Sequence, residues 1–253
     1  MNRSLSQQLN RWRSPKSFYQ NTQKLVLPCI FFGLGLWLYG LYLGFFEAPA
    51  DAIQGEVFRI LYVHVPAAIL ALQLYFSMGL MGLVYLIWRI KLFAYALKIF
   101  ASMGFLLSVI TLITGMLWGK PTWGVYWAWD ARMTSMLILT LVYLSILLFQ
   151  RNIRSPLLAD KLTAIFSIFG LLMMPLIRFS VEWWHSLHQP ATFSLFKAST
   201  MHDSMLIPFR WTFVGFALLV LGLMLWYLRL EILRRNLLAQ WVQQIIQNTK
   251  AKN

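Results

Sequence analysis

Two imidazoles and a run of indoles are the residues of this chain best suited to chemistry. His64 lies in Tyr62-Val63-His64-Val65-Pro66, and His188 lies in Glu182-Trp183-Trp184-His185-Ser186-Leu187-His188-Gln189-Pro190. Between them runs Trp118-Gly119-Lys120-Pro121-Thr122-Trp123-Gly124-Val125-Tyr126-Trp127-Ala128-Trp129-Asp130-Ala131-Arg132, with four Trp in 12 residues. On a helix, Trp123, Trp127 and Asp130 would share one face with Tyr126 beside them, and with Trp129 they would form a wide aromatic shelf. A flat apolar ligand needs such a shelf. Neutral imidazole is a good iron ligand, and two imidazoles from separate segments suit axial coordination of a planar macrocycle. Lys120 and Arg132 bracket the shelf and would suit the carboxylates of such a ligand.

Blander readings exist for each residue alone. Trp and Tyr commonly anchor helix ends at the membrane interface, which accounts for Trp37, Trp88 and Trp226. A lone imidazole in a membrane protein is more often than not a hydrogen-bonded packing residue. Anchoring does not call for a tryptophan cluster laced with Gly and Pro and closed by Asp130 and Arg132. Other chemistries lack their residues. The chain has no G-x-x-x-x-G-K-[ST] phosphate loop, no C-x-x-C-H for covalent haem and a single cysteine, Cys29, which reads as a packing residue. Carboxylates in mid-span, which would mark an ion path, are missing, and no half-to-half repeat suggests a secondary transporter.

The elements that must position these residues follow from composition. Of 253 residues, 59% are hydrophobic and 12% charged, too much apolar surface for a soluble fold of this size to bury. Six stretches are free of Asp, Glu, Lys and Arg: Leu25 to Phe46, Ile60 to Trp88, Ile99 to Gly119, Met133 to Gln150, Leu162 to Ile177 and Trp211 to Leu228. Each is continuous rather than alternating, so the expected fold is all-α, a polytopic membrane protein with six transmembrane helices. The fifth stretch is short and holds Pro175, so a kink or an interfacial end near Arg178 is expected there. The first reads as a retained span rather than a cleaved signal peptide.

Charge sorts the two sides of the membrane. Residues 1–24, 89–98, 151–161 and 229–253 hold 16 of the 22 Lys+Arg and only two acids, Asp160 and Glu231, whereas the other side holds six of each sign. The positive-inside rule then puts both termini in the cytoplasm and the His- and Trp-rich loops on the periplasmic or equivalent organellar face. The domain reading is a basic cytoplasmic tail over 1–24, a six-helix domain over 25–229 with its tryptophan segment at 118–132, and a cytoplasmic amphipathic tail over 230–253. That tail would lie on lipid or dock a partner. Nothing in this charge pattern points to nucleic acid.

The Trp123 to Asp130 segment resembles the WWD signature of haem-handling proteins in cytochrome c maturation. With Arg59-Ile60-Leu61-Tyr62-Val63-His64-Val65-Pro66-Ala67-Ala68 and Ser180-Val181-Glu182-Trp183-Trp184-His185-Ser186-Leu187-His188-Gln189, the chain is similar to the haem exporter protein C (CcmC) family over roughly residues 50 to 230. Tyr126 stands where the signature commonly has Trp, which keeps the stacking face and changes the N-H donor. The resemblance implies a non-enzymatic role in which haem b, bound transiently and non-covalently, sits between axial ligands His64 and His188 against Trp123, Tyr126, Trp127, Trp129 and Asp130. His185 is then incidental, and Lys120 and Arg132 are candidate propionate contacts. It further implies delivery to the haem chaperone CcmE at the periplasmic face of the bacterial inner membrane, with the ABC transporter subunits CcmA and CcmB and the small membrane protein CcmD completing a complex. Two alternatives remain at this point: a cytochrome c haem lyase-like WWD enzyme, and a non-haem structural subunit of a membrane transporter.

Overall fold

The structure is a computed structural model and describes residues 14–183, 187–188 and 201–250. Among these residues the fold is helical, with no strand beyond an isolated bridge between Asp51 and Gly55. The elements are α1 (Pro15–Tyr42), α2 (Leu61–Trp88), α3 (Lys91–Trp123), α4 (Ala131–Asn152), α5 (Pro156–Phe169), α6 (Met173–Trp183), α7 (Asp203–Arg235) and α8 (Gln240–Lys250). Six helical stretches are long and apolar enough to cross a membrane, α5 and α6 together making the fifth. This is a multi-pass membrane protein. At 1.5 Å per residue the 33-residue α3 and α7 extend about 50 Å, well past a hydrocarbon core of about 30 Å, so their polar ends project beyond it.

Helix ends follow local chemistry. α1 and α5 start with Pro at the first turn, where a missing N-H costs nothing, and the Ser155 hydroxyl caps α5 by accepting from the Leu158 N-H. The break in the fifth span falls at Gly170–Leu172, a 3-10 turn just ahead of Pro175. A proline ring crowds the carbonyl four residues back, here Leu171, so the distortion precedes the proline. Tyr75 packs into that turn and its hydroxyl donates to the Phe166 carbonyl at 2.6 Å.

Helices α2, α3, α4 and α5 form the central bundle, with α6 against α4, and α1 lies along α7. In that last pair the backbones meet: a Cβ on Gly40 would sit 2.3 Å from the Thr212 nitrogen, and one on Gly215 would sit 2.2 Å from the Trp37 nitrogen. Small residues at a membrane helix seam permit this approach and the dispersion contacts that come with it. Tyr143 crosses the core to donate to the Ala71 carbonyl at 2.8 Å, tying α4 to α2.

The C-terminal tail differs from its expected form. Helix α7 continues unbroken through Leu230 and Leu233 to Arg235, and the amphipathic helix is the separate, shorter α8. Asn236 ends α7, with its N-H bonded to the Leu233 carbonyl. Trp241 packs 5.8 Å from Tyr19, and Val242 is buried, so α8 folds back on the start of α1.

Candidate functional site

A cavity of about 340 Å³ opens among α2, α3, α4 and α6. Its walls are built by helical repetition. On α2, Leu61, Val65, Ala68 and Leu72 line it together with His64. On α3, Thr111, Gly115, Trp118 and Thr122 recur every three or four residues along one face. Arg132, Met133 and Met136 close it from α4, Ile177 and Arg178 from α6, and His188 from beyond α6.

Both histidines expected from the sequence therefore line one cavity, although 124 positions separate them in the chain. The His64 ring lies 5.6 Å from Trp118, edge to face, and its Nδ1 is 2.9 Å from the Thr114 hydroxyl. A Cβ on Gly115 would sit 3.1 Å from His64 Cε1, so glycine there leaves room for the ring. The His188 ring lies 4.7 Å from Trp123, and its Nδ1 is 2.6 Å from Asp130 Oδ2. The loop before α2 completes the wall. Asp51 Oδ1 accepts from the Ile53 and Gln54 N-H groups, and the turn aims Gln54 at Trp118, whose indole N-H donates to the Gln54 side-chain oxygen Oε1 at 2.6 Å.

The tryptophan segment is not the continuous helical shelf expected above. Gly124, at φ +81, ends α3 just after Trp123, and residues 124–130 run as a loop. A left-handed C-terminal residue is the ordinary helix stop for glycine. Asp130 starts the next helix, its Oδ1 accepting from the Met133 N-H at 2.8 Å, so it serves as the N-cap of α4 rather than as part of a face shared with Trp123 and Trp127. Within the loop Trp127 and Trp129 meet edge to face at 5.3 Å; Trp129 is 78% exposed and Tyr126 53%. Among the described residues, Trp127 Nε1 is the buried side-chain polar atom without a hydrogen-bond partner.

Of the residues singled out in the sequence, His64, Trp123, Arg132 and His188 line the cavity; Tyr126, Trp127, Trp129 and Asp130 do not, and Asp130 reaches the site through its contact with His188. Lys120 points elsewhere: its ammonium donates to the Gly124 carbonyl at 2.9 Å and lies over the Tyr126 ring. The second guanidinium on the cavity is Arg178, which also pairs with Glu182 at 3.5 Å. Gln54 and Thr114 are further site residues that the sequence did not single out, and Trp118, the first of the four indoles, lines the cavity as well. The polar and small stripe on α3, from Thr111 through Gly115 and Trp118 to Thr122, was the signal available for the cavity wall, but not for Thr114 or Gln54. His185 lies outside the described residues.

Comparison with known proteins gives a consistent result. A family model described as "Heme exporter protein C" matches residues 8–243. A protein of that name from Haemophilus influenzae is 37% identical over 242 residues, 96% of this chain and 98% of its own. The Heme exporter protein C of Escherichia coli K12 is 38% identical over 210 residues, 83% of each chain. A putative cytochrome c biosynthesis ccmC-like mitochondrial protein of Marchantia polymorpha is 44% identical over 176 residues, 70% of this chain and 74% of its own.

Proposed function

This chain belongs to the heme exporter protein C family, and from that premise we propose that it binds haem b non-covalently at the periplasmic face of the inner membrane and delivers it to the chaperone CcmE. The observation that carries the reading is the pair of imidazoles, His64 and His188, on one aromatic-walled cavity with two arginines.

The donor set fits the ligand. His64 and His188 would supply imidazole nitrogens for iron, and the rings of Phe58, Trp118 and Trp123 would supply apolar walls for a macrocycle. Haem carries two propionates, and Arg132 and Arg178 offer two guanidiniums, each able to bind a carboxylate bidentately. Arg178 takes the place first given to Lys120. The unpartnered Trp127 N-H, in the same loop that ends at Asp130, adds a donor awaiting an acceptor. A buried donor of this kind costs free energy until it is satisfied.

The orientation follows the charge rule: the basic side is cytoplasmic and the cavity faces the periplasm. The chain acts by holding and releasing haem, without making or breaking its covalent bonds, and energy from ATP is supplied by CcmA and CcmB, with CcmD completing the complex. The purified protein loaded with haem is expected to show a low-spin, six-coordinate spectrum. His64→Ala and His188→Ala are each expected to abolish it. Retention of an unchanged spectrum in both variants would refute the assignment.

A further inference from the structure

The two histidines hold different partners behind the ring. Thr114 Oγ1 carries a single proton and lies 2.7 Å from the Ile110 carbonyl and 3.2 Å from that of Thr111, so it donates to the backbone of its own helix. With the hydroxyl so engaged, the contact at 2.9 Å from His64 runs the other way, Nδ1-H donating to the Thr114 oxygen, and the Thr111 backbone is a second neutral acceptor for the ring. At His188 the partner is a carboxylate, Asp130, only 6% exposed. An ionised carboxylate only accepts, so Nδ1 of His188 also carries its proton and donates at 2.6 Å. Both rings are thereby held in the tautomer whose lone pair is on Nε2.

We infer that Asp130 and Thr114 are positioning residues that select the same tautomer at the two histidines with unequal force, so that His188 is the ligand that retains iron and His64 the ligand that opens at handover. The inference rests on the proposed haem reading. Its physical basis is the partner's charge. A hydrogen bond to an ionised acceptor is roughly twice as strong as one between neutral groups, and a carboxylate behind a ligating imidazole raises the basicity of the nitrogen on the metal. Asp130 is also fixed at its other oxygen by the Met133 N-H, so it cannot swing away without uncapping α4. Thr114 offers a neutral oxygen whose proton is committed to the backbone. Release at His64 would be a plain ligand exchange: Nε2 would keep its electron pair and the acceptor would supply a donor group in its place. No electron changes hands.

Carbon monoxide on the reduced, haem-loaded, full-length protein in detergent reads which ligand opens, because CO displaces one axial ligand and its C-O stretching frequency reports the donor strength of the other. The wild-type adduct is expected to match that of His64→Gly and to differ from that of His188→Gly. Asp130→Asn is expected to raise the frequency and to lower haem affinity about 10- to 100-fold. Thr114→Val should leave the frequency at the wild-type value and lower affinity by less than about tenfold. Asp130→Ser keeps a helix cap but is too short to reach the ring, so it should shift the frequency as the Asn variant does; a wild-type frequency there would mean that Asp130 only caps α4, and would overturn the inference. A low-spin wild type whose adduct matches His188→Gly, or equal effects of Asp130→Asn and Thr114→Val, would overturn it as well. A wild type without a six-coordinate spectrum would overturn the haem reading beneath it, and the inference with it.

Discussion

The two ends of the bundle both bring charged side chains into a helical protein, and they use them in opposite ways. At the basic end, the guanidinium of Arg235 on α7 donates to both oxygens of Asp160 on α5, at 2.7 and 3.0 Å, to Glu231 at 2.7 Å and to Gln150 on α4 at 3.2 Å. Lys98 on α3 and Arg234 bind Glu231 as well, and Gln150 donates to Thr163. Asp160 and Glu231 are only 6% and 5% exposed, and they are the two acids of that side. Every acid there is consumed inside a closed knot joining four helices. The exposed remainder, including Lys16, Lys24, Arg89, Lys91, Arg151, Arg154 and Lys161, is purely cationic. At the other end, Arg132, Arg178, His64 and His188 surround a cavity. One end spends its charge on holding helices together; the other directs it onto a space that a ligand can fill.

The largest expected effect breaks the closed end. Arg235→Met would leave Asp160 and Glu231 buried with too few cations, and removing one partner of a buried pair costs about 3–5 kcal/mol. The thermal unfolding midpoint in detergent should fall strongly, whereas the spectrum of bound haem in the protein that remains folded should be unchanged. Loss of the low-spin spectrum at temperatures where the variant is still folded would show the two ends to be coupled.

A smaller effect sharpens the contrast from the other side. Arg132→Gln removes a charged donor from the cavity, and a hydrogen bond to a charged group is worth about 1.5–3 kcal/mol, or roughly 10- to 100-fold in haem affinity. Arg132 also lies in the field of Asp130 and Glu182, so some stability is expected to be lost with it. A haem titration beside a melting curve separates the two, and a large drop in melting temperature with unaltered affinity would place Arg132 among the structural charges.

What the sequence disclosed divides along the same line. The six spans were legible because charge-free length is a direct consequence of bilayer thickness. Their ends were less so: α1 begins at Pro15, ten residues before Leu25, since Lys16 and Lys24 bar a residue from hydrocarbon but not from a helix. The knot at the basic end was invisible. Asp160 and Glu231 read as two solvated acids among 16 basic residues, and only tertiary packing brings Arg235 between them. At the cavity, His64 and His188 stood out because imidazole is rare in spans and both flank the indole run. Asp130 was noticed for the wrong geometry, because Gly124 turns the expected helix into a loop. Thr114 and Gln54 gave no signal of composition at all, being neutral polar residues whose partners lie 50 and 64 positions away.

The loop itself supplies the finest test of the difference between ends. Trp129 is 78% exposed, its large ring touching Trp127 but filling no core position, so Trp129→Ala should alter unfolding free energy by no more than about 0.5 kcal/mol. Trp127 is the contrasting neighbour, with its N-H enclosed and unpartnered. Trp127→Phe keeps most of the apolar ring and deletes only that donor, which removes the penalty of an unsatisfied group in the empty protein. The Phe variant should therefore be slightly more stable than wild type without haem and lose that advantage when haem is bound. Melting curves with and without haem check it: an equal shift in both states would mean that the Trp127 N-H never meets the ligand.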